Sequence, residues 1–333
     1  MATGFDFSGM DRFWTVFETL QGDQEPSAAD WEALFSTPGY GVLTESEFSR
    51  DFLIRSFRLA FKPSLREQLE AALESDRFGL LRHYLQVAAD PAKVRRQQEE
   101  LATSGYLQDF AIKRALEYLP LSGVEEYPLV SFVIFANDAR GYSPIVLDVL
   151  ATINLSDFLP LFLAHECHHY YRNQLLSVDY RRAPGEWRDL LRVLDQIQGE
   201  GVADLIDKEE LMAGGHPFVS GYAEAVARAP EFLKTMDGIL ADLGKGAVNS
   251  EKAGELLNEA LPMSGHPVGF YMARTIRNRL GTAEMVRRVG NPFAFLTLYD
   301  QATTAGGANG DQFRFSPAAL LVLAELDERF VSR

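Results

Sequence analysis

The tract LPLFLAHECHHYYRNQLL, residues 159–176, sets the tightest limit on the fold. Its first half is apolar on every side of a helix, so the helix it predicts must be covered all round rather than laid on a surface. Pro160 suits a first helical turn, and Ser156 or Asp157 is placed to cap it. Into this buried segment the chain puts His165, Glu166, Cys167, His168 and His169. Imidazoles and a carboxylate inside a covered helix need partners, because a buried polar group without one costs free energy.

Surrounding such a helix takes a sizeable core, and 333 residues at 47% hydrophobic content supply it without disulfides. Cys167 is the single cysteine, which fits a reducing compartment. Residues 1–21 lack a charged-then-apolar leader pattern, and no run reaches the ~18 apolar residues that span a bilayer. A cytoplasmic protein, not inserted in a membrane, is expected. Lys plus Arg number 32 against 47 Asp plus Glu, a net charge of −15 that repels polyanions and argues against nucleic acid as partner. The arginine pairs 95–96 and 181–182 read as solvated faces.

Residues 1–123 are repeatedly helical, with breaks at Pro26, Pro38, Pro63 and Pro91. They predict an N-terminal helical region in which His83 is a packing or surface residue. Residues 127–135 (YPLVSFVIF) and 143–151 (SPIVLDVLA) are short, apolar and rich in β-formers around a turn at 137–141, and predict a β-hairpin or meander. Beyond the tract, helices are expected over 186–207, 221–243, 251–261, 267–280, 292–302 and 317–331, with a glycine-rich loop, a lid or a plain connection, at 305–310. The fold class is α+β and mainly helical, with a small sheet packed on the histidine-bearing helix. The expected division is 1–123 and 124–333, compatible with one compact unit.

His165-Glu166-Cys167-His168-His169 matches H-E-x-x-H inside a predicted helix. Residues i and i+4 share a helix face, so His165 and His169 can reach one metal ion, with Glu166 beside them and not itself a ligand. Hydrolytic zinc takes three protein ligands, and the third comes from elsewhere. Val193, Ile197, Glu200 and Asp204 form one row on the next helix, apolar at first and then acidic. Glu200 is the candidate third ligand, and Asp204 the carboxylate behind the site that accepts the other ring N–H of His165 or His169. Gly199 and Gly201 flank Glu200 at a cost of about 1 kcal/mol each against alanine, which points to close approach of another backbone. His168 is turned about 100° from His169 and reads as a packing residue or a support behind the metal ligands rather than a ligand itself. Buried Cys167 does not read as a nucleophile, and His216 in a Gly-Gly-His-Pro loop is a reserve ligand only.

HECHH followed by a helix bearing E-x-x-x-D resembles the gluzincins, the thermolysin-like branch of the zincin metallopeptidases. The resemblance covers residues 127–272. It implies a zincin-like catalytic domain, one zinc on His165, His169 and Glu200, Glu166 as general base, and Asp204 in support. It also implies a downstream oxyanion-stabilising group, for which His266 and Tyr271 in SGHPVGFY are the candidates, Tyr271 with a slight lead. The metzincin pattern fails, since it needs glycine at Arg172 and histidine at Leu175. Including residues 31–40, the chain is also similar to uncharacterised bacterial proteins labelled as zinc peptidases. A peptide or protein is then the expected substrate. A zinc hydrolase acting on another amide or ester, and an inactive metal-binding or interaction protein, are the alternatives.

Overall fold

The computed structural model describes residues 4–76, 79–124, 126–180, 183–305 and 312–331. The arginine pair 181–182 and the glycine-rich loop from 306 onward lie outside the described residues. Two compact units emerge, residues 1–112 with 124–170 and residues 113–123 with 171–333. The class is mainly helical α+β, with one small sheet among the described residues.

In the first unit the sheet runs β1 (Phe5–Asp6), β2 (Val130–Val133), β4 (Ile145–Asp148), β3 (Ala139–Arg140) from edge to edge. β1 escaped the sequence reading because two residues carry no periodicity. The expected hairpin is corrected, because β2 and β4 pair in parallel, Val130 opposite Ile145 and Val133 opposite Asp148. The segment between them is more than a turn. It supplies β3, which pairs antiparallel to β4 with Ala139 opposite Leu147. All residues of β2 and β4 are buried, and unbroken apolar runs of that kind are what covered parallel strands look like.

β4 also stops sooner than expected. Asp148 ends it and caps a helix over Val149–Leu155, its Oδ1 accepting from the Ala151 N–H at 3.0 Å. Its Oδ2 accepts from the Phe135 N–H at 2.7 Å and lies 2.9 Å from Nε2 of His83. His83 is thus a buried packing residue with a carboxylate partner.

Around the sheet, helices Ser8–Gln21, Arg50–Phe61 and Leu80–Ala89 meet in an aromatic core. Phe17 and Phe61 have ring centroids 5.0 Å apart, and Phe57 and Tyr84 4.8 Å apart. The Tyr40 and Tyr84 hydroxyls donate to the Ile134 and Phe135 carbonyls at 2.8 and 3.1 Å, fastening that core to the end of β2. The histidine-bearing helix, Leu159–Asn173, follows a short 3-10 turn over Ser156–Phe158 and ends three residues before the expected Leu176.

The second unit is built on the long helix Arg188–Ala213, buried along most of its length. The helix expected over 221–243 is two, Tyr222–Ala227 and Ala229–Gly244. Pro230 has no N–H to give a continuing helix, and it sits in the first turn of the second one. Helices Ser250–Ala260, His266–Leu280, Pro292–Ala305 and Pro317–Phe330 follow within two or three residues of expectation. Among the described residues, no helix is long and apolar enough to cross a membrane.

Candidate functional site

In the first unit the helix places His165 and His169 on one face with their Nε2 atoms 3.0 Å apart. Their rings meet edge to face, with centroids at 4.7 Å. Two nitrogens that converge this way either share one ring proton or present lone pairs to one cation. Ligands at the usual zinc distance stand roughly 3.3 Å from each other in a tetrahedral set, so the pair fits zinc. His165, Glu166 and His168 are buried, and His169 is half-buried.

Gly141, in the turn between β3 and β4, runs against this helix. A Cβ there would stand 2.5 Å from the His169 Cβ and 3.3 Å from Glu166 Oε2. Only glycine lets the turn pass so close. The sequence marked Gly141 as a turn residue and carried no sign of this second role. Burial pushes the Cys167 thiol up, so it stays protonated.

In the second unit, Glu200, Asp204 and His266 form a cluster. Nδ1 of His266 lies 3.0 Å from each Asp204 oxygen, and its Nε2 lies 3.4 Å from Glu200 Oε2. The Tyr222 hydroxyl donates to Asp204 Oδ2 at 2.5 Å. Lys208 Nζ donates to Asp207 Oδ2 at 2.6 Å and stands 3.4 Å from Asp204 Oδ1.

Burial alone would lower the Lys208 pKa, yet Asp207 and Asp204 outweigh it and keep the ammonium charged. Burial likewise opposes charge on His266, and Asp204 and Glu200 raise its pKa despite that. Burial, then Asp204, push the Tyr222 phenol up, so it is a lasting donor. The sequence reading did not anticipate His266, Tyr222 or Lys208 as partners of Asp204. Lys208 was within reach of it, being one helical turn from Asp204. Tyr222 and His266 carried no local signal of the contact.

Glycines bring these helices together. A Cβ on Gly201 would fall 2.1 Å from the Gly269 carbonyl carbon, and one on Gly269 would fall 2.0 Å from the Ile197 oxygen. The expected backbone approach therefore holds for Gly201. Gly199 meets a side chain instead, its Cβ position being 3.3 Å from Arg172 Nη1. That guanidinium donates to Gln198 Oε1 at 2.8 Å and pairs with Asp195. Gln198 in turn donates to the Arg288 and Asn291 carbonyls at 2.7 and 3.0 Å.

The two oxyanion candidates separate. His266 opens its helix behind Gly265, which holds φ at +94°, and it sits at the carboxylates. Tyr271 lies about 140° further round the helix, with its ring beside Tyr299 at a centroid distance of 6.2 Å. His216 caps the short turn Pro217–Val219, its Nδ1 accepting from the Phe218 N–H at 3.2 Å.

No curated protein and no solved structure matches the chain. Residues 31–306, most of its length, match the family model described as "Putative zinc dependent peptidase (DUF5700)", and the chain belongs to that family.

Proposed function

We propose that the chain is a zinc-dependent peptidase of the H-E-x-x-H type with a gluzincin-like arrangement. His165, His169 and Glu200 hold one zinc per chain, Glu166 is the general base, and Asp204 supports the site. The observation that carries this reading is the convergence of the His165 and His169 Nε2 atoms, 3.0 Å apart on one helix face. Arg172 stands three residues beyond His169 on one helix, and its guanidinium holds Gln198, two residues before Glu200. The donor set suits zinc, with two imidazoles whose Nε2 atoms converge and a carboxylate on a row that begins apolar.

Bound there, zinc supplies Lewis acidity toward a water and a carbonyl oxygen. Glu166 takes the proton from the attacking water and later delivers it to the leaving amine. Gly141 keeps the space beside the Glu166 carboxylate clear of any side chain. Tyr271 or His266 donates to the carbonyl oxygen as negative charge develops on it.

Elemental analysis of the wild type beside Glu200→Ala and Glu166→Gln, run in parallel with cleavage of a labelled peptide library, tests this. The expected result is one zinc in wild type, loss of zinc in Glu200→Ala, and zinc without cleavage in Glu166→Gln. A wild type that cannot be loaded with zinc overturns the reading. Zinc-dependent turnover of esters or non-peptide amides, with no peptide cleaved, would keep the metal and reassign the substrate.

A further inference from the structure

We infer that His266 is itself a zinc ligand, paired with Glu200 on the second unit; this rests on the zinc reading above. Both ring nitrogens of His266 face carboxylates. Nδ1 lies at hydrogen-bond distance from both oxygens of Asp204, which is acceptor-only while ionised, so Nδ1 carries the proton. A histidine that binds a metal through one nitrogen characteristically gives its other N–H to a carboxylate.

Nε2 is aimed at Glu200 Oε2 across 3.4 Å. That is long for an N–H···O bond, whose usual range is about 2.7–3.2 Å. It matches the ~3.4 Å between a nitrogen and an oxygen bound to one zinc at roughly tetrahedral angles. The ring is also held in place as ligands are. Asp204 is fixed from its other sides by Tyr222 and Lys208. The backbone that carries His266 is pinned at Gly265, whose Cβ position lies 3.4 Å from the Ile197 Cα, and at the Gly269 crossing. A histidine reserved for a substrate oxygen would have no need of Glu200 in front of its second nitrogen. The protein would then contribute four donors, His165, His169, Glu200 and His266, with the attacking water in a fifth position, which zinc can accommodate by expanding its coordination, and the oxyanion falls to Tyr271.

X-ray absorption at the zinc edge of the full chain counts imidazoles, and competition against a chromogenic chelator gives affinity; neither depends on catalysis. The expected counts are three imidazoles in wild type and two in His266→Asn, with zinc held about a hundredfold more weakly by the variant. Asparagine keeps an N–H for Asp204, and a melt of the metal-free protein reports whether the fold is intact. Two imidazoles in the wild type, a count that needs no variant, overturn the inference, as does wild-type affinity in His266→Asn. If Glu200→Ala loses zinc in that same series, the zinc reading survives and only the role of His266 falls. A wild type that takes up no zinc removes both.

Discussion

Each unit contains a fully buried aspartate beside a histidine, and the two pairs are built differently. Asp148 and Asp204 are both 0% exposed, and each lies about 3 Å from a ring nitrogen, of His83 and His266 respectively. Asp148 draws its other bonds from main-chain N–H groups, those of Phe135 and Ala151, and its histidine is 5% exposed. Asp204 draws its own from side chains, Tyr222 and Lys208, and the His266 side chain is 28% exposed with its far nitrogen turned to another carboxylate. An Asp–His pair is therefore no sign of chemistry by itself. What separates these two is the source of the aspartate's other bonds, main chain for Asp148 and side chains for Asp204, and the second carboxylate, Glu200, that faces His266.

The comparison can be broken by substitution. Asp148→Ala uncaps a helix and strips a buried histidine and two amides of their acceptor, so unfolding by denaturant should show a loss of about 4 kcal/mol. The protein that still folds should carry as much zinc as wild type. If that zinc is gone, Asp148 is no mere staple and the contrast collapses. Gly201→Ala drives a methyl group into the Gly269 backbone and should cost about 3 kcal/mol in the same assay. A cost below about 1 kcal/mol would mean that the helices separate easily and that the crossing does not hold the Asp204 cluster.

Asp204→Asn sharpens the contrast from the other side. Chelator competition should give zinc affinity reduced about tenfold to a hundredfold, the usual price of disturbing a carboxylate behind a metal histidine. Unchanged affinity would make Asp204 as structural as Asp148. The smallest effect belongs to Tyr222→Phe, which removes one donor from a buried carboxylate that keeps two others. Thermal unfolding should show a loss of about 1–2 kcal/mol, and no loss would mean that Lys208 and His266 suffice to hold the aspartate.

The features legible in the sequence were those written in short spacings. His165 and His169 share a face because i and i+4 always do on a helix, and the turn from apolar to acidic along Val193, Ile197, Glu200 and Asp204 was read the same way. Gly201 betrayed a close crossing because a mid-helix glycine is costly without a reason. What stayed hidden depends on distant partners. β2 and β4 took a parallel register because β3 occupies the outer edge, and residues 137–141 look like a turn whichever edge they serve. The His266–Asp204 contact joins residues 62 apart, and no periodicity reports such a pair. The helix Val149–Leu155 was masked by its β-branched residues, while the cap that starts it belongs to an aspartate that also ends a strand.

The crossing of Gly201 with Gly269 carries a consequence for how the neighbourhood of Glu200 responds to heat and to sequence change. A contact made of main-chain atoms has no rotamers, so it offers no alternative packing for the two helices to slip into. Side chains elsewhere in the core trade places as temperature or composition shifts, and the gaps between their helices drift with them. At this junction the spacing is fixed by the radii of peptide atoms, so Glu200 and His266 inherit their separation from the chain's own thickness.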